Sequence, residues 1–169
     1  MASAKAASYG APHMIKIENG AAVDITVDGA SKTVYIATND GISGGSGLGI
    51  PHNTRGYFSE SPGAGPENYF TPNLLGGSVE FDVDLSSMEC GCIAAFYTVS
   101  MPAKDDGGNY TPGEDGFYYC DANQVGGTYC PEFDIMEANK YAMQTTPHSC
   151  DSPNDKGHYY NCNRSGSCW

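Results

Sequence analysis

The sequence has few positive charges. Eight Lys and Arg residues stand against 20 Asp and Glu in 169 residues, which gives a formal net charge of −12. Nucleic acids and anionic membranes attract clusters of Lys and Arg, so this balance argues against both as partners. No run of 18 apolar residues occurs either, and nothing in the chain has the pattern of a membrane-spanning helix. We therefore predict neither a nucleic-acid partner nor a membrane partner.

Cysteine is absent from the first 89 residues, and all seven cysteines follow. Dense cysteine in loop-like sequence is typical of an extracellular disulfide framework. No Cys-x-x-Cys pair with matching histidine spacing suggests zinc, and the glycine-rich stretch at residues 41–49 lacks a phosphate-binding lysine motif. The sequence thus predicts disulfides, no metal and no cofactor. An odd count leaves at least one thiol without a partner in the chain, the seven being Cys90, Cys92, Cys120, Cys130, Cys150, Cys162 and Cys168.

Further signals agree with secretion. The triplets that begin at Asn109 and Asn163 are glycosylation sequons. The first residues lack the apolar core of a signal peptide, so secretion is predicted without a visible leader of that kind. Residues 1–15 show no periodicity and are predicted to be a loose leader.

Turn residues and strand patterns favour an all-β fold. Glycine and proline are frequent (22 and 10 residues), and no 12-residue stretch shows a helical period. Two β-prone runs flank Asp28-Gly29, which predicts a hairpin. Alternation over residues 79–85, the apolar run at 93–100, and residues 117–120 and 133–137 predict further strands. We predict a sandwich of antiparallel sheets.

The residues best suited to chemistry are three acids on one predicted strand. Glu132, Asp134 and Glu137 form the pattern E-x-D-x-x-E. Side chains alternate along a regular strand, so Glu132 and Asp134 share a face and Glu137 points away. One β-bulge after Asp134 would bring all three carboxylates to the same face. A retaining glycoside hydrolase needs such a pair of carboxyl groups, one as nucleophile and one as acid and base.

A less specific interpretation of this pattern is a solvated acidic strand face, as predicted for Glu80, Asp82 and Asp84. Two features distinguish the E-x-D-x-x-E strand: it begins at a cysteine, and the segment TPHSC follows at residues 146–150. If the strand is catalytic, Asp134 would hydrogen-bond the nucleophile and help to separate the protonation states of the two glutamates.

The segments CPEFDIMEAN (130–139) and TPHSC (146–150) resemble the active-site strand of glycoside hydrolase family 7. These are secreted retaining cellulases, both cellobiohydrolases and endoglucanases, with a concanavalin-like β-jelly-roll sandwich. LLGGSVEFDVDL (74–85), FYTVSM (96–101) and YCD (119–121) extend the resemblance over about residues 72–169. The resemblance implies retaining hydrolysis of β-1,4-glucosidic bonds, with a β-glucan polysaccharide such as cellulose as partner.

The resemblance also implies roles for individual residues. Glu132 matches the nucleophile, Glu137 the general acid and base, and Asp134 the carboxylate that supports the nucleophile. His148 falls where the family has a histidine near the reacting sugar. Substrate-cleft positions are matched by Tyr97, Tyr119 and Asp121. Family disulfides are matched by two pairs, Cys120 with Cys130 and Cys150 with Cys162.

The chain also departs from the family pattern. Met136 stands where the family usually has Trp, Ile93 replaces a cleft Asn, and Ala122 replaces a small hydroxyl residue. The loop between Cys120 and Cys130 is shorter than the tunnel-forming loops of exo-acting family members. The resemblance therefore implies an open cleft and an endo mode of attack. Family catalytic domains are more than twice as long, so we expect residues 1–169 to be part of a single catalytic domain. The family partners of Cys90 and Cys168 lie beyond such a fragment, and Cys92 is an additional cysteine.

Two alternatives remain open at this stage. Family 16-like β-glucanases are jelly rolls that use the same E-x-D-x-x-E with a bulge, although the TPHSC segment and the cysteine pattern weigh against them. The other alternative is a non-catalytic glucan-binding protein, or a relic of the same fold, and the substitutions at Ile93, Ala122 and Met136 motivate it. The complete protein is expected to be monomeric and extracellular.

Overall fold

The computed structural model describes residues 2–6, 21–38, 41–62, 65–113 and 115–167. In these ranges the secondary structure consists of strands, without a helix, so no helix there is long and apolar enough to cross a membrane. The predicted loose leader, residues 1–15, lies outside the described residues except for the first strand. The strands are β1 (Ala2–Ala6), β2 (Ala22–Val27), β3 (Ala30–Thr38), β4 (Arg55–Ser59), β5 (Ala94–Val99), β6 (Glu132–Ala138) and β7 (Met143–His148).

All strand pairs are antiparallel. Six of the seven strands form two groups of three strands each. One group is β2-β3-β4 and the other is β5-β6-β7, while the backbone of β1 pairs with β4 on one side and β5 on the other. This architecture is consistent with part of a β-sandwich. It confirms the predicted all-β fold class.

The hairpin predicted at Asp28-Gly29 is present between β2 and β3. Both turn residues have positive φ, 50° at Asp28 and 80° at Gly29. Positive φ at both central positions gives a turn whose twist matches that of the flanking strands. Six residue pairs then follow in register from Val27–Ala30 to Ala22–Tyr35. Val34 and Ile36 bury their side chains behind this hairpin against Val23 and Phe70.

The two faces of β5 pack against different neighbours. Tyr97 and Val99 are buried at 2% and 4% exposure, while the alternate residues Phe96 and Thr98 are half-buried on the other face. Phe96 contacts the rings of Phe58 and Phe81, with the Phe81 ring centroid 4.7 Å away. The predicted strand at residues 93–100 is therefore confirmed, with complete burial at alternate positions only.

Two predicted strands are wrong. Residues 79–85 form no ladder with any described residue, and Val79, Phe81 and Val83 stay 40–48% exposed. Alternation creates an apolar face, but a strand also needs a hydrogen-bonding neighbour. Residues 117–120 are irregular because Tyr118 has a φ of 56°, which turns the backbone out of the extended region.

Candidate active site

A β-bulge in β6 gathers the three acidic side chains. On the β5 side, Phe96 pairs with Met136 and Tyr97 pairs with Asp134, so Ile135 has no residue opposite it. The register with β7 shifts between Asp134 and Glu137 as well. The extra residue reverses the alternation, and Glu132, Asp134 and Glu137 line one cleft. The bulge predicted from the spacing of the acids is thus confirmed.

The cleft has a volume of about 360 Å³. It collects all seven residues that the sequence analysis assigned to catalysis or substrate binding. It also contains residues that the sequence did not single out, of which Gln144, Thr146 and Arg164 make contacts described below. The seven predicted residues are Tyr97, Tyr119, Asp121, Glu132, Asp134, Glu137 and His148.

Glu132 lies in a partly desolvated position at the start of β6. Its Oε2 atom accepts a hydrogen bond from the backbone N–H of Ala122, at 3.1 Å. Burial, together with the nearby charge of Asp134, raises the pKa of Glu132 to about 7. The Ala122 N–H opposes this shift because it stabilises the ionised carboxylate. Glu132 therefore retains its proton at a higher pH than an exposed glutamate does.

Asp134 is paired with His148 from β7. Asp134 Oδ2 lies 3.1 Å from His148 Nε2, and His148 Nδ1 lies 2.8 Å from the carbonyl oxygen of Asn163. A carbonyl can only accept, so Nδ1 carries a hydrogen and donates it. The contact at Nε2 then requires a proton as well, on either Asp134 or the imidazole. The pair shares one proton inside the cleft.

The expectation that Asp134 hydrogen-bonds Glu132 is wrong. Among the described residues its side-chain hydrogen bond goes to His148, whereas Glu132 is bonded to Ala122. Burial and the charge of Glu137 raise the pKa of Asp134 to about 6, while His148 lowers it. Asp134 influences Glu132 through its charge instead of through a direct hydrogen bond.

Glu137 is held by two side chains of β7. Gln144 Nε2 donates to Glu137 Oε2 at 2.8 Å, and Thr146 Oγ1 donates to the same oxygen at 3.3 Å. Glu137 and Gln144 are cross-strand partners in the β6–β7 ladder. The sequence analysis missed Gln144, and the only available signal was its position in the strand that follows the acidic segment. These contacts orient the carboxylate into the cleft.

Aromatic side chains form the buried floor of the cleft. The hydroxyl groups of Tyr97 and Tyr119 lie 3.3 Å apart, and both rings are almost completely buried. The guanidinium of Arg55 stacks over the Tyr119 ring at 4.0 Å. Burial raises the pKa of Tyr119 above its usual range, so its hydroxyl stays neutral. The floor is thus a buried pair of tyrosines whose hydroxyl groups contact each other.

Two disulfide-closed loops border the cleft. The predicted pairs Cys120–Cys130 and Cys150–Cys162 are both present. Arg164, which follows the second loop, donates to Gln124 Oε1 at 3.3 Å and to Tyr129 Oη at 2.5 Å in the first loop. Asp121 Oδ1 accepts from the backbone N–H groups of Asn123 and Val125. Its carboxylate therefore shapes the first loop as well as facing the cleft.

The remaining cysteines and substitutions are placed as follows. Cys90 is exposed and Cys92 half-buried, and neither is in a disulfide within the described part of the chain, while Cys168 lies outside it.

Met136 is buried at 4% exposure and does not line the cleft. Ala122 supplies the N–H that binds Glu132, a contact its side chain does not affect. Of the three substituted positions, only Ile93 places its side chain in the cleft lining.

The chain is similar to a fungal endoglucanase. It is 37% identical to endoglucanase EG-1 of Trichoderma longibrachiatum over 120 residues, which covers 60% of this chain. The matched part is 26% of the endoglucanase, so the chain spans about a quarter of that relative's length. No protein-family model matches the chain, and no solved structure matches it. The match suggests a glycoside hydrolase.

Gly166 is a further residue that the sequence did not reveal, and substituting it is expected to displace His148. A Cβ atom at Gly166 would lie 2.2 Å from Thr146 Cγ2 and 2.9 Å from His148 Cε1, and the φ of +64° is unfavourable for other residues. We expect Gly166→Ala to lower the free energy of unfolding by about 2–4 kcal/mol. Urea unfolding and the imidazole NMR signals of His148 measure the two effects.

Gly127→Ala is the matched control for this substitution. Gly127 has a φ of +85°, but nothing lies within 4 Å of an added Cβ atom. Only backbone strain of about 1 kcal/mol is expected there, with the His148 signals unchanged. Equal losses in the two variants, with no change at His148, would show that the close packing of Gly166 is unimportant.

The free energy of unfolding is expected to fall as the pH rises from about 5 to about 8. EDTA is added to the buffer so that trace metal ions do not bind the acidic side chains. The folded pKa of Glu132 is about 7 against an ordinary value of 4.5, and that of Asp134 is about 6 against 3.8. Because the folded state binds these protons more tightly, the stabilisation is complete below the ordinary values and is lost as the pH passes the folded ones. For Glu132 this loss is on the order of 2 kcal/mol.

Thermal unfolding of the original chain and of Glu132→Gln across this pH range measures the effect. The variant cannot titrate at position 132, so its Tm should fall less between the two pH values. Asp84 and Asp105 do not interfere, because hydrogen bonds from Ser86 and Asn109 lower their pKa values below 3.8, outside the range tested. Parallel curves for the two proteins would contradict the assigned shift.

Proposed function

We propose that the chain is the catalytic part of a family 7-type cellulase that hydrolyses β-1,4-glucosidic bonds with retention of configuration. The observation that carries this proposal is the bulge in β6, which turns Glu132, Asp134 and Glu137 into one cleft. The similarity to an endoglucanase supports the glucan substrate. The disulfides support an extracellular location.

In the first step, the Glu132 carboxylate attacks the anomeric carbon while the Glu137 carboxylic acid gives its proton to the departing glycosidic oxygen. A glycosyl ester of Glu132 forms, and the chain beyond the cleaved bond leaves with a new hydroxyl group. In the second step, Glu137 takes a proton from water, and the water oxygen displaces Glu132. The sugar is released with its original configuration, and both carboxyl groups return to their starting states.

The surrounding residues have positioning roles in this mechanism. The Ala122 N–H fixes one oxygen of Glu132, which leaves the other free to face the sugar. Gln144 and Thr146 hold Glu137. The raised pKa of Glu132 means that the nucleophile of the free protein is about half ionised near pH 7 and becomes fully ionised only at higher pH. Substrate hydroxyl groups that donate to Glu132 would favour its ionised form.

An endo mode of attack is favoured by the loops around the cleft. The loop closed by Cys120 and Cys130 spans only ten positions, and its contact with Arg164 borders the cleft without adding a long cover. A cleft open to solvent admits the middle of a polysaccharide chain. Endo-acting enzymes cleave mainly the interior bonds of carboxymethyl cellulose. This polymer is therefore the first substrate to test.

A panel of soluble glucans tests this proposal. The purified chain is incubated with carboxymethyl cellulose, mixed β-1,3/1,4-glucan and β-1,3-glucan, and new reducing ends and solution viscosity are measured. We expect reducing ends from carboxymethyl cellulose with an early fall in viscosity. Hydrolysis confined to the mixed-linkage glucan would favour the family 16-like alternative. Retention of the chain on cellulose without any product would favour a non-catalytic binding protein.

A further inference from the structure

Glu132, Asp134 and His148 bring three metal-ligating groups together. One carboxylate oxygen from each acid and one imidazole nitrogen lie within 4.8 Å of one another. Asp134 and His148 are buried, at 6% and 8% exposure, and Glu132 is half-buried. The cluster is therefore a mixed nitrogen and oxygen donor set inside a cleft, which differs from acidic side chains scattered on a surface.

The orientation of His148 is an independent feature that suits a metal ligand. Its Nδ1–H donates to the carbonyl oxygen of Asn163 at 2.8 Å, and Asn163 does not belong to the cluster. In metal sites a ligating histidine typically donates its second ring N–H to a carbonyl or carboxylate, which fixes the tautomer and aims the other nitrogen at the ion. Here that contact fixes Nδ1 as the donor and leaves Nε2 facing Asp134.

The distances agree with a small transition-metal ion. Ligands bound at about 2.0–2.1 Å in a tetrahedral site lie about 3.3 Å from each other. His148 Nε2 and Asp134 Oδ2 are 3.1 Å apart, close to such an edge. The ligand oxygen of Glu132 lies within 4.8 Å of these two atoms and would move toward the ion to complete the set, with a water molecule in the fourth position. The ion would replace the proton that Asp134 and His148 now share.

We propose that Glu132, Asp134 and His148 form a binding site for a divalent transition-metal ion such as Zn²⁺, and that this ion inhibits the protein. Imidazole combined with carboxylate favours Zn²⁺ or Cu²⁺ over Mg²⁺. Asp121 and Glu137 line the same cleft and add negative charge. Arg164, the cation among the described lining residues, is engaged with Gln124 and Tyr129. The inhibition rests on the proposed function, because a coordinated Glu132 cannot attack a sugar, whereas the binding does not.

Calorimetric titration with Zn²⁺ tests the binding. The free thiols, Cys90 and Cys92 among them, are first blocked with iodoacetamide so that they do not bind the ion. We expect one Zn²⁺ per chain at this site, with binding weakened at least about tenfold in each of His148→Gln, Asp134→Asn and Glu132→Gln. Glu137→Gln is the matched control, because it removes a charge from the same cleft without removing a ligand, and its affinity should fall much less than tenfold.

A second measurement requires no substitution. Added Zn²⁺ should shift the imidazole NMR signals of His148 and leave those of His52 and His158 unchanged, whereas Mg²⁺ should shift none of them. Zn²⁺ binding that leaves the His148 signals unchanged would overturn the proposal. The proposal would also be overturned if the folded His148→Gln and Asp134→Asn variants bound Zn²⁺ as tightly as the original chain, or if the original chain did not bind Zn²⁺.

Inhibition is measured separately, with the hydrolysis of carboxymethyl cellulose as the readout. Saturating Zn²⁺ should lower the rate at least about tenfold, and EDTA should restore it. An unchanged rate at saturation would overturn the inhibitory role. If the metal-free chain hydrolyses no glucan but still binds Zn²⁺ through His148, the proposed function fails while the metal site stands.

Discussion

Glu132→Gln is expected to abolish the hydrolysis of carboxymethyl cellulose, with a fall on the order of 10³-fold or more. Glutamine has nearly the same shape, and its amide oxygen can still accept the hydrogen bond from the Ala122 N–H. It has no anionic oxygen to attack the anomeric carbon, so the first chemical step is lost. The release of reducing ends at about pH 7 measures the change.

Two comparisons separate loss of chemistry from loss of fold. At about pH 5 the Glu132 carboxyl group is mostly neutral, because its pKa is about 7, so the variant and the original chain should have similar Tm values there. Glu80→Gln removes an acid from an exposed segment and should hydrolyse at the original rate. Near-normal turnover by the Glu132 variant would exclude this residue as the nucleophile.

Glu137→Ala is expected to lower the hydrolysis of carboxymethyl cellulose by about 10²–10⁴-fold, because no group then protonates the departing oxygen. A substrate with a good leaving group, dinitrophenyl β-cellobioside, does not need that proton. Its glycosyl-enzyme should form but react slowly with water, which has lost its general base. Azide is a nucleophile that needs no base, so it should accelerate turnover at least about tenfold.

The configuration of the azide product distinguishes the two glutamates. In Glu137→Ala, azide displaces Glu132 from the opposite face of the sugar and gives the β-cellobiosyl azide. In a Glu132→Ala chain, azide attacks the substrate directly and gives the α-azide. Glu89→Ala, at an exposed acid outside the cleft, should show no response to azide. An α-azide from the Glu137 variant would reverse the roles assigned here.

The sequence predicted the local features of the site because short-range chemistry determines them. The hairpin depends on Asp28-Gly29, whose positive φ angles favour that dipeptide. The bulge follows from the spacing of three acids, of which the third would otherwise point away from the first two. The two disulfides were implied by the resemblance of the cysteine spacing to a known family, and both are present.

The features that the sequence did not predict depend on contacts between distant residues. Asp134 bonds His148 instead of Glu132, because the β6–β7 pairing and the Asn163 carbonyl together place the imidazole. Gln144 reaches Glu137 only through that pairing. Residues 79–85 have the correct alternation, yet they form no ladder with any described segment. Alternation indicates which side of a segment is apolar and does not supply its neighbour.

Trapping of a covalent glycosyl-enzyme tests the central claim most directly. A 2-deoxy-2-fluoro cellobioside with a dinitrophenolate leaving group forms the ester with the nucleophile and releases the phenolate, while the fluorine slows hydrolysis of the ester. Mass spectrometry of the digested protein then locates the added sugar. We predict one fluorocellobiosyl group on Glu132, formed at the same rate as phenolate release and absent from Glu132→Gln. A sugar attached to any other residue, or phenolate release without an adduct, would contradict retaining catalysis by Glu132.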